Sequence, residues 1–154
     1  MDPVEVITTY LVVSVIAGIV GGLAMTAVMA LVGRADGARR SMVHAVGSLL
    51  TKTRENAQLV GVLLHGAAAI GYGLLYTILL MAFGLTEWPG GLFGGFGLGT
   101  FHGIVVSLAL VWVIADQHPL PEYRDTGPMV FLQHLAGHIA YGVAVGVVVS
   151  FAPV

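Results

Sequence analysis

The sequence predicts an all-α fold: a bundle of four transmembrane helices forming a single integral membrane domain over residues 1–154. Three observations predict it. Apolar residues make up 57% of the 154-residue chain and charged residues only 9%, against about 25% charged in an ordinary soluble domain. The apolar residues gather into four runs, each near the roughly 20 residues that cross a bilayer as a helix. All six Lys and Arg residues fall between those runs.

The first span covers about residues 6–32 and follows the acidic Asp2 and Glu5. Such a start lacks the basic region of a cleaved signal peptide, so the span reads as a retained helix. The second, third and fourth spans cover about residues 57–83, 91–115 and 129–151. In the first connection Met42, Val43, Val46, Leu49 and Leu50 recur at helical spacing. Either this segment is an amphipathic helix on the membrane surface, with its basic flanks near anionic headgroups, or it is a loop packed on the bundle.

Charge placement orients the chain. Arg34, Arg39, Arg40, Lys52 and Arg54 lie between spans one and two, and Arg124 between spans three and four. Four spans put both connections on one side, which the positive-inside rule makes cytoplasmic. The N- and C-termini and the 84–90 connection then lie outside. Trp88 and Trp112 fall near opposite interfaces, where indole rings anchor.

Gly91, Gly95, Gly99 and Gly103 recur every four residues in span three and form one stripe, which Ser107 extends. Span one carries Gly18 and Gly22, and span four Gly142 and Gly146. Small residues allow close helix approach in lipid, where no hydrophobic drive exists between helices. The stripe therefore predicts tight packing, within one chain or between protomers of a homo-oligomer or larger membrane complex, ahead of a flat wall against a cofactor.

An internal repeat is visible. His65 and Tyr72-Gly73 in span two match His134 and Tyr141-Gly142 in span four, while Gly22 and Met25 align with Gly99 and His102. Two similar helical hairpins follow, with the same membrane orientation and a pseudo-two-fold axis along the membrane normal.

Four of the six histidines fall inside spans: His65, His102, His134 and His138. Ionisable side chains at membrane depth are costly and mark functional sites by default. Seven residues return a helix to within about 20° of its starting direction. His65 therefore shares a face with Tyr72, and His134 with His138 and Tyr141. Counting from the cytoplasmic ends at about 1.5 Å per residue, Met25, His65, His102, His134 and His138 lie roughly 8–16 Å in. No carboxylate falls near that level, so neutral imidazoles are expected. His44 and His118 sit in connections and read as surface groups.

Three readings of this cluster stand side by side. The histidines hydrogen-bond each other, the tyrosines and water as glue between helices. Or they bind a transition metal (Cu, Zn or Fe), with His65, His102 and His138 as ligands, His134 and Met25 next, and Met25 or Met29 favouring Cu(I). Or two of them hold a single haem b. Tyr72 and Tyr141 extend the site toward the midplane, as part of a proton path or as packing groups. The chain contains no cysteine, which excludes disulfides, thiolate metal sites and iron–sulfur clusters. Basic residues are too few for nucleic-acid binding, and no hydrolase-type nucleophile–base arrangement is visible.

Residues 18–26, Gly-Ile-Val-Gly-Gly-Leu-Ala-Met-Thr, and residues 137–142, Gly-His-Ile-Ala-Tyr-Gly, resemble segments of small uncharacterised prokaryotic inner-membrane proteins. The resemblance implies a four-helix membrane protein and no particular activity. Function is accordingly expected at a His-lined intramembrane site serving metal handling, electron transfer or proton movement. The other expectations are an accessory subunit docking through its glycine stripe, and a small homo-oligomeric channel lined by the His–Tyr faces.

Overall fold

The computed structural model describes residues 2–35, 41–124 and 127–154. Arg39 and Arg40, which entered the charge reading, lie outside the described residues. The described residues are 82% helical, with no strand among them. The long helices are α1 (Pro3–Ala35), α3 (Ala57–Ala82), α4 (Gly90–Ala109) and α5 (Pro128–Ser150), and a short α2 (Met42–Thr51) lies between the first two. All four long helices are long and apolar enough to cross a membrane.

Local chemistry sets the ends. Asp2 Oδ1 accepts from the Glu5 N–H at 2.8 Å, and Pro3 opens α1 where its missing N–H costs nothing. Ser41 caps α2 by accepting from the His44 N–H, and Lys52 closes that helix in the left-handed region at φ 56°. The amphipathic segment is thus helical, and it also packs on the bundle. At the far end of α4 the chain passes into a π turn over Leu110–Ile114, a widening often found beside functional sites.

Glycines determine which helices touch. A Cβ on Gly18 would lie 2.5 Å from the Ala69 carbonyl oxygen, and one on Gly73 2.5 Å from that of Ser14, so α1 and α3 cross backbone to backbone. Gly47 of α2 and Gly61 of α3 meet each other's helices in the same way. The stripe Gly91, Gly95, Gly99 and Gly103 is buried. It lies against Gly146, Gly142, the His138 carbonyl and Leu135 of α5, and Ser107 Oγ donates to the Phe131 carbonyl at 3.1 Å. The stripe is thus covered by α5 of the same chain.

Each of these contacts pairs rising with falling residue numbers, so successive long helices run antiparallel. The helices are arranged α3–α1–α5–α4 around an arc. The ends of the arc, α3 and α4, pack most closely near their short connection. There Tyr76 OH donates to the Leu98 carbonyl at 3.1 Å, and Leu80 lies against Gly94. From that end the two helices splay.

Candidate functional site

The splay leaves a cleft of about 320 Å³ between α3 and α4, with α1 and α5 behind it and Val46 of α2 at one end. Met25, His65, Tyr72, His102, His134, His138 and Tyr141 all line it. The side chains singled out in the sequence, drawn from all four long helices, are thus brought to one place. The His–Tyr faces meet one another within a single chain.

Three of the four imidazoles are held in the same way. His65 Nδ1 lies 3.2 Å from the Gly61 carbonyl, His134 Nδ1 2.8 Å from that of Val130, and His138 Nδ1 2.8 Å from that of His134. A carbonyl only accepts, so in each neutral ring Nδ1 carries the proton and Nε2 keeps its lone pair. This tautomer is assigned from the hydrogen-bond network.

His102 is held through an intermediary. Its Nδ1 lies 3.1 Å from Tyr76 OH, and that hydroxyl gives its single proton to the Leu98 carbonyl, four residues before His102. With the phenol proton on that carbonyl, Nδ1 of His102 donates to the phenol oxygen; with it on Nδ1, the ring takes the other tautomer. His65, His134 and His138 therefore offer an unprotonated Nε2, and none of the four rings has an Nε2 hydrogen-bond partner among the described residues. None of these nitrogens is sealed away, since the only enclosed side-chain polar atom without a partner among those residues is Ser14 Oγ. The four rings line the cleft.

The remaining wall is soft and uncharged. Met25 and Met29 of α1 are buried at 9% and 8% exposure. They occupy the space a side chain at Gly137 would take: Met29 Cγ and Sδ lie 2.6 and 3.0 Å from where its Cβ would be, and Met25 Cγ 3.1 Å. Gln133 Nε2 donates to the Met29 carbonyl at 2.7 Å and fixes that turn of α1. Tyr141 OH donates to the Ala69 carbonyl at 2.6 Å, so this tyrosine is a strut between α5 and α3. The ring centroids of Tyr72 and His102 are 4.1 Å apart, and those of His102 and His138 4.6 Å, nearly perpendicular.

No carboxylate lines the cleft. Among the described residues no three of His, Cys, Asp and Glu stand together as a group able to hold a metal ion. The spacing of His102 and His138 also leaves no room for a macrocycle between those two rings. A second cavity of about 250 Å³ shares Met25, Met29 and His65 with the cleft and reaches Arg34 and Ser41 near α2.

His118 shows what a structural histidine looks like in this chain. Expected at the surface, it is 2% exposed. Its Nε2 lies 3.0 Å from the Ala45 carbonyl, and its Nδ1 accepts from the Leu120 N–H at 3.0 Å. Both ring nitrogens are used, and they lock α2 to the connection before α5. His44 does similar work through Tyr123 OH at 2.9 Å. Unlike His118, the cleft histidines leave one nitrogen open.

Sequence reasoning missed Tyr76 and Gln133 as members of the site. Tyr76 stands eleven residues after His65, about 20° away around the helix, which is a signal that could have found it. Gln133 offered none beyond being an amide in an apolar span. No family model, curated protein or solved structure matches the chain.

Proposed function

We propose that this chain is an integral membrane protein whose His-lined cleft binds a transition metal ion within the bilayer, for metal handling. One observation carries the reading: four imidazoles line a single apolar cleft together with Met25 and Met29, and their Nε2 atoms have no hydrogen-bond partner among the described residues. An imidazole nitrogen without a protein donor in an apolar cleft is a ready ligand, and a metal ion that takes imidazole together with thioether does not need three imidazoles at once. An Nδ1–H held by a backbone carbonyl is also how ligating imidazoles are oriented and made more basic.

In this proposal the chain sits in a prokaryotic inner membrane with both termini outside. The connections bearing Arg34, Lys52, Arg54 and Arg124 are cytoplasmic, following the charge placement. The chain consists of two similar hairpins, and the cleft lies on their pseudo-two-fold axis. The lining supports this. With Gly22 aligned on Gly99 and His65 on His134, the pairs Met25/His102, Met29/Val106, His65/His134, Ala69/His138 and Tyr72/Tyr141 all face the one cleft. The Gly18–Gly73 crossing is then the counterpart of Gly95–Gly142.

The test is elemental analysis and a visible spectrum of protein purified in mild detergent from metal-supplemented cells. Near-stoichiometric metal is expected in the wild type and its loss in His102→Ala/His138→Ala, with helicity and elution volume unchanged. A metal-free wild type, or a Soret band reporting haem in place of a bare ion, overturns the proposal.

A further inference from the structure

We infer that the ion is soft and monovalent, Cu(I), held by Met25 and Met29 thioether sulfur together with imidazole Nε2 from α5 and its neighbours. The inference rests on the metal-site reading and specifies its substrate.

Charge argues for it first. Every donor lining the cleft is neutral: imidazole, thioether and phenol, with no carboxylate. The cost of burying an ion rises with the square of its charge, and in a low-dielectric interior it is repaid only by opposite charge or close ligation. A divalent ion here pays about four times the desolvation cost of a monovalent one and finds no anion to offset it.

Ligand count argues next. Zinc sites draw three or four protein ligands from Cys, His and carboxylates, and no three such groups stand together among the described residues. A site with fewer imidazoles is completed here by sulfur. Thioether ligands select Cu(I), which is content with two or three donors.

Placement argues last. Gly137 lies between His134 and His138 on α5, and the methionine chains fill the space over it. The glycine brings sulfur to the same turn as the two imidazoles, and any side chain there would push it away. Met25, Met29 and His65 are also the residues shared with the second cavity leading toward α2. The thioethers therefore stand where an ion would pass between the two spaces.

The experiment is an anaerobic titration of the detergent-purified 154-residue chain with Cu(I) against a chromophoric Cu(I) chelator, with Ag(I) as a redox-inert probe and Zn(II) and Co(II) in parallel. Cu(I) and Ag(I) are expected to bind at least a hundredfold more tightly than Zn(II). Met25→Leu/Met29→Leu, which nearly conserves volume, is expected to weaken Cu(I) at least tenfold and to remove a sulfur shell from the X-ray absorption spectrum. Zn(II) or Co(II) binding as tightly as Cu(I), or Cu(I) affinity and spectrum unchanged in the double variant, overturns this inference and leaves the metal site standing. Absence of binding by every ion overturns both. Gly137→Ala is the second variant: weaker Cu(I) with unchanged helicity is expected, and unaltered Cu(I) affinity contradicts the role given to the methionine seat.

Discussion

The seam between α1 and α5 is closed, whereas the seam between α3 and α4 is open, and the contrast shows how a cleft is built inside a bilayer. At the closed seam Gly21 lies under the Tyr141 ring, whose atoms approach to 2.8 Å of where a Cβ would be, with Val145 at 3.0 Å. Gly137 receives the two methionines a turn away. At the open seam the helices meet near their connection through Tyr76 and Leu80, and beyond that only rings reach across. In the proposed repeat, Leu98 stands where Gly21 stands and Ala68 where Gly137 stands. Lipid gives helices no hydrophobic reason to associate, so contact distance follows from the side chains at the crossing. The cleft lies where Leu98 and Ala68 stand in place of Gly21 and Gly137.

The largest expected effect comes from wedging the closed seam. Gly21→Leu drives a side chain into the Tyr141 ring and Val145, which are 2% and 0% exposed, and Tyr141 is tethered by its bond to Ala69. Overpacking of this kind costs about 3 kcal/mol. Leu98→Ala at the open seam removes part of a half-buried side chain and costs about 1 kcal/mol, below the range for fully buried leucine. Unfolding in mixed micelles, followed by circular dichroism, measures both. Equal losses at the two positions would show that the seams do not differ in packing.

A smaller effect is expected at the strut of the open seam. Tyr76→Phe removes the hydroxyl between His102 Nδ1 and the Leu98 carbonyl. The stability cost is about 1 kcal/mol, that of an ordinary hydrogen bond. The sharper signature is chemical: ¹⁵N imidazole shifts should show tautomer exchange at His102 alone, while His65, His134 and His138 keep Nδ1–H on their own helices. Tyr72→Phe meets His102 with the same ring and should leave the tautomer alone. Unchanged His102 shifts in Tyr76→Phe would mean that its tautomer is not set by the phenol.

The sequence was most legible where one physical requirement dominates. The span over residues 57–83 is found as Ala57–Ala82, and that over 129–151 as Pro128–Ser150, because a run of apolar side chains in lipid has few alternatives to a helix. Heptad arithmetic likewise brought His65, Tyr72, His134, His138 and Tyr141 to shared faces, and the cleft contains them. The orientation of each ring was not legible, since it depends on which carbonyl lies four residues back and whether a phenol intervenes, as it does only at His102. Nor was His118 legible: its burial comes from α2 folding back onto the connection, which Pro119 and Pro121 do not announce. Which seam opens was readable only in comparison, by setting Gly21 beside Leu98.

The smallest expected effect lies at the α2 end, where an ion pair spans the mouth of the open seam. Arg54, in the connection leading into α3, meets Glu122, in the connection leaving α4, with Arg54 Nη2 2.8 Å from Glu122 Oε1. The Glu122 backbone N–H, and then the Arg54 guanidinium, hold this carboxyl below its ordinary value of 4.5. A depressed acid contributes its stability above the unfolded-state pKa and loses it as pH falls through the lower folded-state value. Both side chains are solvated, Arg54 at 71% exposure, so the contribution is small and salt-sensitive. Glu122→Gln should therefore lower the thermal midpoint slightly at neutral pH and low salt. The two proteins should converge as pH drops below about 4.5, where the wild-type carboxyl becomes as neutral as the amide. A gap that survives at pH 3 would mean that Glu122 works by packing, and that the open seam is not tethered by charge.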